Sequence, residues 1–371
     1  MTSFAPNLNR NPALPYPSYP ATANERTRWI VERRGPRNTV SPDRPYAFFS
    51  EQERAASGEI ATVATIFLTN RECPWKCVMC DLWRNTTVAS VKAGAIPKQI
   101  DFALAALPRA SVLKLYNSGS FFDPGAIPKS DWKCIARLCR GFQHVIVECH
   151  PRLIAEPVLD FASLLEGTLE VAMGLETRHS VALDALNKRF TVRDYQRATE
   201  FLSSHELGIR TFLLVHPPFI PDREQFPWLK RSINFALDCG STVVSLIPTR
   251  AGNGALETLQ ELGDFREPSL LELEEALGYG VNLHRGRVFA DTWDLGRFSR
   301  CPSCFEDRLA RIRRMNTTQR AGQQIHCTSC QLGEDSSGRT EKAQKHSKPN
   351  RPTVQTLRKS KAGTEIKVFR P

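Results

Sequence analysis

The sequence predicts an α/β fold built from repeated strand–helix units. Six short, apolar, β-rich runs alternate with helix-like stretches along the middle of the chain. Several of these runs are continuously apolar rather than alternating, as strands covered on both faces of a parallel sheet are. The residues that carry chemistry stand just after these runs, at the edge where α/β folds place their sites.

The strands are expected at 61–69, 112–116, 144–149, 169–174, 209–215 and 242–247. Helices are expected between them at 99–107, 132–139, 157–165, 181–186 with 192–207, and 224–238, and a last one at 269–277. Six βα repeats fit an open doubly wound sheet or a partial barrel, and periodicity does not choose between them. Residues 1–45, rich in Pro and Asn, read as an extended lead-in, and 46–295 as the core domain. Residues 296–332 read as a small cysteine-bearing module and 333–371 as a disordered basic tail. From Gln331 to Pro371 ten Lys/Arg stand against four Asp/Glu.

Of the 371 residues, 41% are hydrophobic and 24% charged, which supports a sizeable core and excludes a wholly disordered chain. The longest apolar-looking run, Ile60–Leu68, is far short of the roughly 18 residues a spanning helix needs. Residues Met1–Pro20 do not read as a secretory signal, so a cytoplasmic protein is expected. Seven of the eleven cysteines are clustered, which points to metal ligands in a reducing compartment rather than to disulfides. The net charge of +11 favours acidic partners such as nucleic acid.

Cys73, Cys77 and Cys80 lie on a short loop directly after the first strand. Three thiolates at that spacing can wrap a [4Fe–4S] cluster and leave one iron open to a ligand. The alternative is zinc, with His144 or Cys149 supplying a fourth ligand through the fold. After the second strand comes Asn117-Ser118-Gly119-Ser120, and Glu148 ends the third. Gly174-Leu175-Glu176-Thr177 ends the fourth and is followed by Asn187-Lys188-Arg189-Phe190-Thr191, in which Thr191 and Asp194 also suit a helix cap. His216 and Arg250, each just past a strand, are candidate substrate contacts.

Near the C-terminus, Cys301/Cys304 and Cys327/Cys330 form two CxxC knuckles with 22 residues between them. Four thiolates in that pattern suit a structural zinc site of the zinc-ribbon kind, with a second iron–sulfur cluster as the alternative. From Arg300 to Arg320, six Arg stand against Glu306 and Asp307, which suits either a phosphate backbone or a solvated helix.

The CxxxCxxC loop after the first strand of a βα series resembles the radical S-adenosylmethionine (radical SAM) superfamily. The Gly174–Thr177 and Asn187–Thr191 text resembles its elongator-catalytic-subunit and methylthiotransferase branch. The phrases Lys114–Pro124, Gly174–Thr177 and Ser245–Arg250 resemble the archaeosine-forming (RaSEA-type) enzymes. The resemblance implies a partial (β/α)6 TIM-like barrel. It implies a [4Fe–4S] cluster on Cys73, Cys77 and Cys80 and SAM chelated at the open iron. SAM would then be held by Asn117, Ser118, Gly119 and Ser120, by Glu176, and by Met79, which stands where the family prefers an aromatic residue. The implied chemistry is reductive cleavage of SAM to a 5′-deoxyadenosyl radical that abstracts hydrogen. The implied substrate is a tRNA nucleoside carrying a lysine-modified deazaguanine, and the implied reaction breaks a lysine C–N bond. A flavodoxin or ferredoxin would supply the electron. A radical SAM enzyme for a small molecule or peptide, or a non-catalytic RNA-binding metalloprotein, are the rival readings.

Overall fold

The computed structural model describes residues 18–330. The elements run α1 (Ala23–Glu32), β1 (Ala47–Arg54), β2 (Ile60–Phe67), α2 (Ala95–Ala106), β3 (Val112–Tyr116) and α3 (Trp132–Leu138). There follow β4 (His144–Glu148), α4 (Glu156–Ala162), β5 (Thr168–Glu176), α5 (Ser180–Ala185), α6 (Val192–Ser204) and β6 (Gly208–Val215). The chain continues with α7 (Asp222–Asp238), β7 (Val243–Pro248), α8 (Ala255–Glu261), α9 (Leu270–Asn282), β8 (Arg287–Ala290) and α10 (Phe305–Thr318). The expected basic tail lies outside the described residues.

All eight strands form one curled sheet in chain order. Strands β2 to β8 are parallel, so their carboxyl ends share one edge, and β1 pairs antiparallel with β2. The six expected strands are β2 to β7, and the sheet extends them by one strand at each side. Strand alternation sends one set of residues outward into a core shared with the helices, among them Ile66, Leu113, Leu115, Val147, Val171, Leu213 and Leu246. The other set faces the concave lumen.

That lumen has a charged floor. Lys114 Nζ lies 2.9 Å from Glu51 and 2.6 Å from Glu53. Arg210 reaches Glu53 and Glu170, each at 2.6 Å, and His144 Nε2 lies 3.3 Å from Glu170. Each buried charge is met by an opposite one, which is what allows these residues inside the sheet. Above the floor, the rings of Tyr46, Phe67, Tyr116 and Phe212 follow one another at 5.5, 5.7 and 6.0 Å between centroids.

The free side of β8 is covered by α10. The Asn316 side chain accepts from Ala290 N (2.9 Å) and donates to Ala290 O (2.9 Å). The Gln319 side chain does the same for Val288, at 2.7 and 2.9 Å. Two amides thus take the place of a ninth strand and satisfy an edge that water or another chain would otherwise meet. Leu309, Ile312 and Met315 of the same helix enter the main core. Arg287 Nη1 donates to Arg54 O (3.0 Å), tying the last strand to the first.

The lead-in departs from the extended segment expected at 1–45. Thr22 accepts from Glu25 N and the Glu25 carboxylate accepts from Thr22 N, a capping box that starts α1. Tyr19, Trp29 and Ile30 then pack with Val78, Leu186, Phe219 and Leu256 in a second hydrophobic cluster over the carboxyl edge. No helix of the described residues is long and apolar enough to cross a membrane.

Candidate active site at the carboxyl edge

The cysteine loop leaves β2 and is gripped along its length. Gln99 accepts from Thr69 N and donates to Thr69 O, both at 2.7 Å. The Glu72 carboxylate gathers Arg34 (2.7 Å), Lys76 (2.5 Å) and Arg37. Burial alone would raise its pKa, but hydrogen bonds from Lys76, Arg34 and Arg37 outweigh this and hold it at about 2. Asn187 donates to Lys76 O (2.8 Å), Asn253 to Val78 O (2.6 Å), and Val78 N donates to Leu186 O (3.1 Å). Burial pushes the thiols of Cys73, Cys77 and Cys80 up to about 12, and each lies within electrostatic reach of another of the three.

The turn after β3 meets this loop. A Cβ on Gly119 would stand 3.3 Å from Cys73 Cβ, so a small residue lets the two segments approach. Ser118 has φ +55°. Glu148 lies under the turn and accepts from Asn117 N (2.5 Å) and Gly119 N (3.3 Å). Burial raises its pKa to about 7 against the pull of these N–H groups. The hydroxyl of Ser118 lies 3.0 Å from Tyr46 OH, and Ser120 Oγ accepts from His150 N at 2.9 Å. Of the expected acceptors on this turn, the buried Asn117 amide has no partner among the described residues at either its oxygen or its nitrogen.

Glu176 sits at φ +65° where β5 slips register against β6. Its carboxylate is paired with Lys188 Nζ (2.6 Å), which also donates to Gly174 O (2.7 Å). Both side chains are 10% exposed, and a Cβ on Gly174 would stand 2.2 Å from Glu176 Oε1. The Lys188 charge reaches Cys77 and Cys73, so the pair brings a cation beside the cysteines. Trp75 stacks on His150 at 3.7 Å and 9°. Burial, helped by Lys188, lowers the His150 pKa to about 3, so the ring is neutral. Met79 is half-buried against the second cluster.

Arg250 is held by another side chain, whereas neither ring nitrogen of the buried His216 has a hydrogen-bond partner among the described residues. His216 lies 3.1 Å from Asp222 at the start of α7, and Arg250 pairs with Asp291 at 2.5 Å. Asp291, Asn253, Glu72 and the Trp75–His150 stack belong to this edge and were not expected from the sequence. Their roles rest on partners distant along the chain. The run of functional turns after successive strands was the only available signal.

The donor set fits a polar ligand between the cysteine loop and its neighbours. Besides Asn117, the side-chain oxygens of Asn70 and Asn187 are buried without a partner among the described residues. Each such atom costs about 1–3 kcal/mol unless something bonds to it.

The second cysteine group has its own geometry. The sulfurs of Cys301, Cys304, Cys327 and Cys330 lie within 4.8 Å of one another, with Cys301–Cys327 at 3.8 Å and Cys304–Cys330 at 3.7 Å. A tetrahedron with metal–sulfur bonds of about 2.3 Å has edges of about 3.8 Å, so the group suits one four-coordinate ion. The knuckles are joined by α10. Arg308 donates from Nε to Cys304 Sγ (3.3 Å), and Glu274 pairs with both Arg308 and Arg311, at 2.7 Å to the latter. Two arginines of the basic run are therefore committed inside the protein.

A half-barrel with a CxxxCxxC loop and polar turns at positive φ along one edge is the arrangement that the resemblance to the radical SAM superfamily implies. No family model matches this chain. Archaeosine synthase subunit beta of Methanosarcina acetivorans is 28% identical over 180 residues, 47% of this chain. That of Thermococcus kodakarensis is 30% identical over 172 residues, 44% of this chain. The chain spans about half the length of these two relatives, 52% and 53%. An uncharacterized protein of Methanocaldococcus jannaschii is 24% identical over 257 residues, covering 65% of this chain and 70% of its own. Among solved structures, coproporphyrinogen III oxidase of Escherichia coli, a radical SAM enzyme, overlaps 70% of this chain and 55% of its own at 14% identity and a TM-score of 0.40.

Proposed function

We propose that this protein is a radical SAM enzyme that modifies a tRNA nucleoside, with archaeosine-type cleavage of a lysine C–N bond as the reaction. One observation carries the proposal: three cysteines on a firmly gripped loop meet, at Gly119, a turn that bears a buried amide without a partner among the described residues, at the carboxyl edge of a parallel half-barrel. Cys73, Cys77 and Cys80 would hold a [4Fe–4S] cluster. Asn117 would bond the amino-acid part of SAM, on a turn shaped by Ser118, Gly119 and Ser120. Met79 would pack against the adenine. Glu176 acts through Lys188, whose charge offsets that of the thiolates. When bound, the cluster supplies the electron that splits SAM into methionine and a 5′-deoxyadenosyl radical, which takes hydrogen from the substrate. The α1 cluster and the Trp75–His150 stack shield this edge from water. Cys301, Cys304, Cys327 and Cys330 would hold structural zinc, and a flavodoxin or ferredoxin of the cytoplasm would be the electron donor.

Anaerobic reconstitution followed by reduction tests the first part. The expected product is 5′-deoxyadenosine, lost when any of the three loop cysteines is changed to Ala. Its absence from a cluster-bearing sample overturns the enzymatic reading. Mass spectrometry of tRNA nucleosides from cells with and without the gene tests the second part, and identical nucleosides overturn it.

A further inference from the structure

We infer that an open groove of about 520 Å³ on the outer face of the barrel, between α7 and α9, binds the phosphate backbone of the RNA whose target nucleotide enters the carboxyl edge. The inference rests on the tRNA reading above. Arg178, Lys230 and Arg231 line the groove, and among the described residues none of them has a carboxylate partner. The lining carboxylate, Asp238, is already paired with Arg285 at 2.6 Å. Instead the three cations are spread on aromatic rings. Lys230 Nζ stands 5.1 Å from the ring centre of Phe226 and 5.6 Å from that of Tyr279. Arg231 lies 4.6 Å over Trp228 and Arg178 5.0 Å over Phe235.

Such exposed cation–ring contacts are worth only about 0.5–1 kcal/mol each, and they leave three like charges lining one groove without a counter-charge of their own. An anion relieves that repulsion, and releases counterions as it does so. The cations come from two segments, Arg178 from the turn after β5 and Lys230 with Arg231 from α7, and line an open trough, which suits a row of phosphates better than one enclosed anion. The trough also begins in the right place. Arg178 follows Glu176 by two residues, so it stands at the rim of the candidate active site. A strand leaving that edge would pass Arg178 and run on over α7, where the exposed ring of Phe226 adds a surface for stacking.

The test is binding of a tRNA transcript to the reconstituted full chain over a range of salt concentrations. The variants are Arg178→Gln/Lys230→Gln/Arg231→Gln and, for comparison, Arg313→Gln/Arg314→Gln on the exposed side of α10. Each lost phosphate contact flattens the slope of log K against log salt by about 0.7–0.9, so the triple variant should lose about 2–3 of slope and bind at least about tenfold more weakly at 0.1 M salt. Its iron content and uncoupled SAM cleavage should match wild type, and its melting temperature should fall by no more than loss of the cation–ring contacts explains. An unchanged slope in the triple variant, a loss confined to the α10 pair, or no salt-dependent binding by wild type overturns the groove. If wild type alters tRNA nucleosides while the triple variant keeps its slope, the groove fails and the tRNA reading stands. If the slope falls as expected while cellular nucleosides are unaltered by loss of the gene, the groove stands and the nucleoside reading fails.

Discussion

Glu148 makes no ion pair among the described residues, yet it organises the turn that faces the cysteines, accepting from the backbone of Asn117 and Gly119. Replacing it by Ala strands these buried donors. Glu148→Ala should cost about 2–3 kcal/mol in urea unfolding and weaken SAM binding in equilibrium dialysis, whereas Glu148→Gln keeps an acceptor and most of the stability. Wild-type behaviour in the Ala variant would refute this role. Lys188 offers a second case. Lys188→Met leaves Glu176 charged, buried and alone, and should cost about 3–5 kcal/mol, while adding Glu176→Gln should restore much of it. A double variant no more stable than the single one would show that the pair is not the cause.

At the scale of elements, α10 does two jobs with one helix. Its N-terminal end carries Cys304 into the four-sulfur group, and its C-terminal end presents Asn316 and Gln319 to β8. A metal held at the sulfurs would therefore be mechanically linked to closure of the sheet. Asn316→Ala or Gln319→Ala should cost about 1–3 kcal/mol and speed amide exchange in β8. If the two cysteine groups hold metal and iron as proposed, a chelator that strips the first should speed exchange in the same strand and leave the iron of the Cys73 loop unchanged. Exchange confined to residues 301–330 would break the link.

For the molecule as a whole, buried charge sets the response to pH. Glu170 is held at about 2, where Arg210 and His144 outweigh its burial; Glu72 on the cysteine loop and Glu272 at the start of α9, the latter bonded by Arg266 and Ser269 N, are also held at about 2. Glu53 is held lower still by Arg210 and Lys114. A carboxylate with a depressed native pKa stabilises the fold above its unfolded value near 4.5 and loses that contribution as pH falls toward the native value. Glu148, raised to about 7, works the other way: its contribution is present at low pH and fades as pH rises from about 4.5 to 7. His150, lowered to about 3, loses stability as pH falls below about 6.5, which opposes Glu148 over most of that range. Melting temperature should therefore vary little between about pH 4.5 and 7 and drop steeply between about pH 4.5 and 2. A drop centred near pH 6 would contradict this account of the lumen.

The strands β2 to β7, the capping box Thr191–Asp194 and the two cysteine groups were all legible in the chain, because apolar runs, caps and ligand spacings are local patterns. The strand β1 was not, since AFFSEQER carries Glu51 and Glu53, and charges inside a sheet make sense only once Lys114 and Arg210 stand opposite them. The same holds for the Glu176–Lys188 pair, for Asp291 with Arg250, and for α1, whose apolar face has no meaning until Val78 and Leu256 lie beneath it. The sequence by itself determined the repeating architecture and the ligands available to metals. The tertiary structure decided which polar groups are spent on one another and which are left for a ligand, because a charge or amide finds its partner across the fold rather than along the chain.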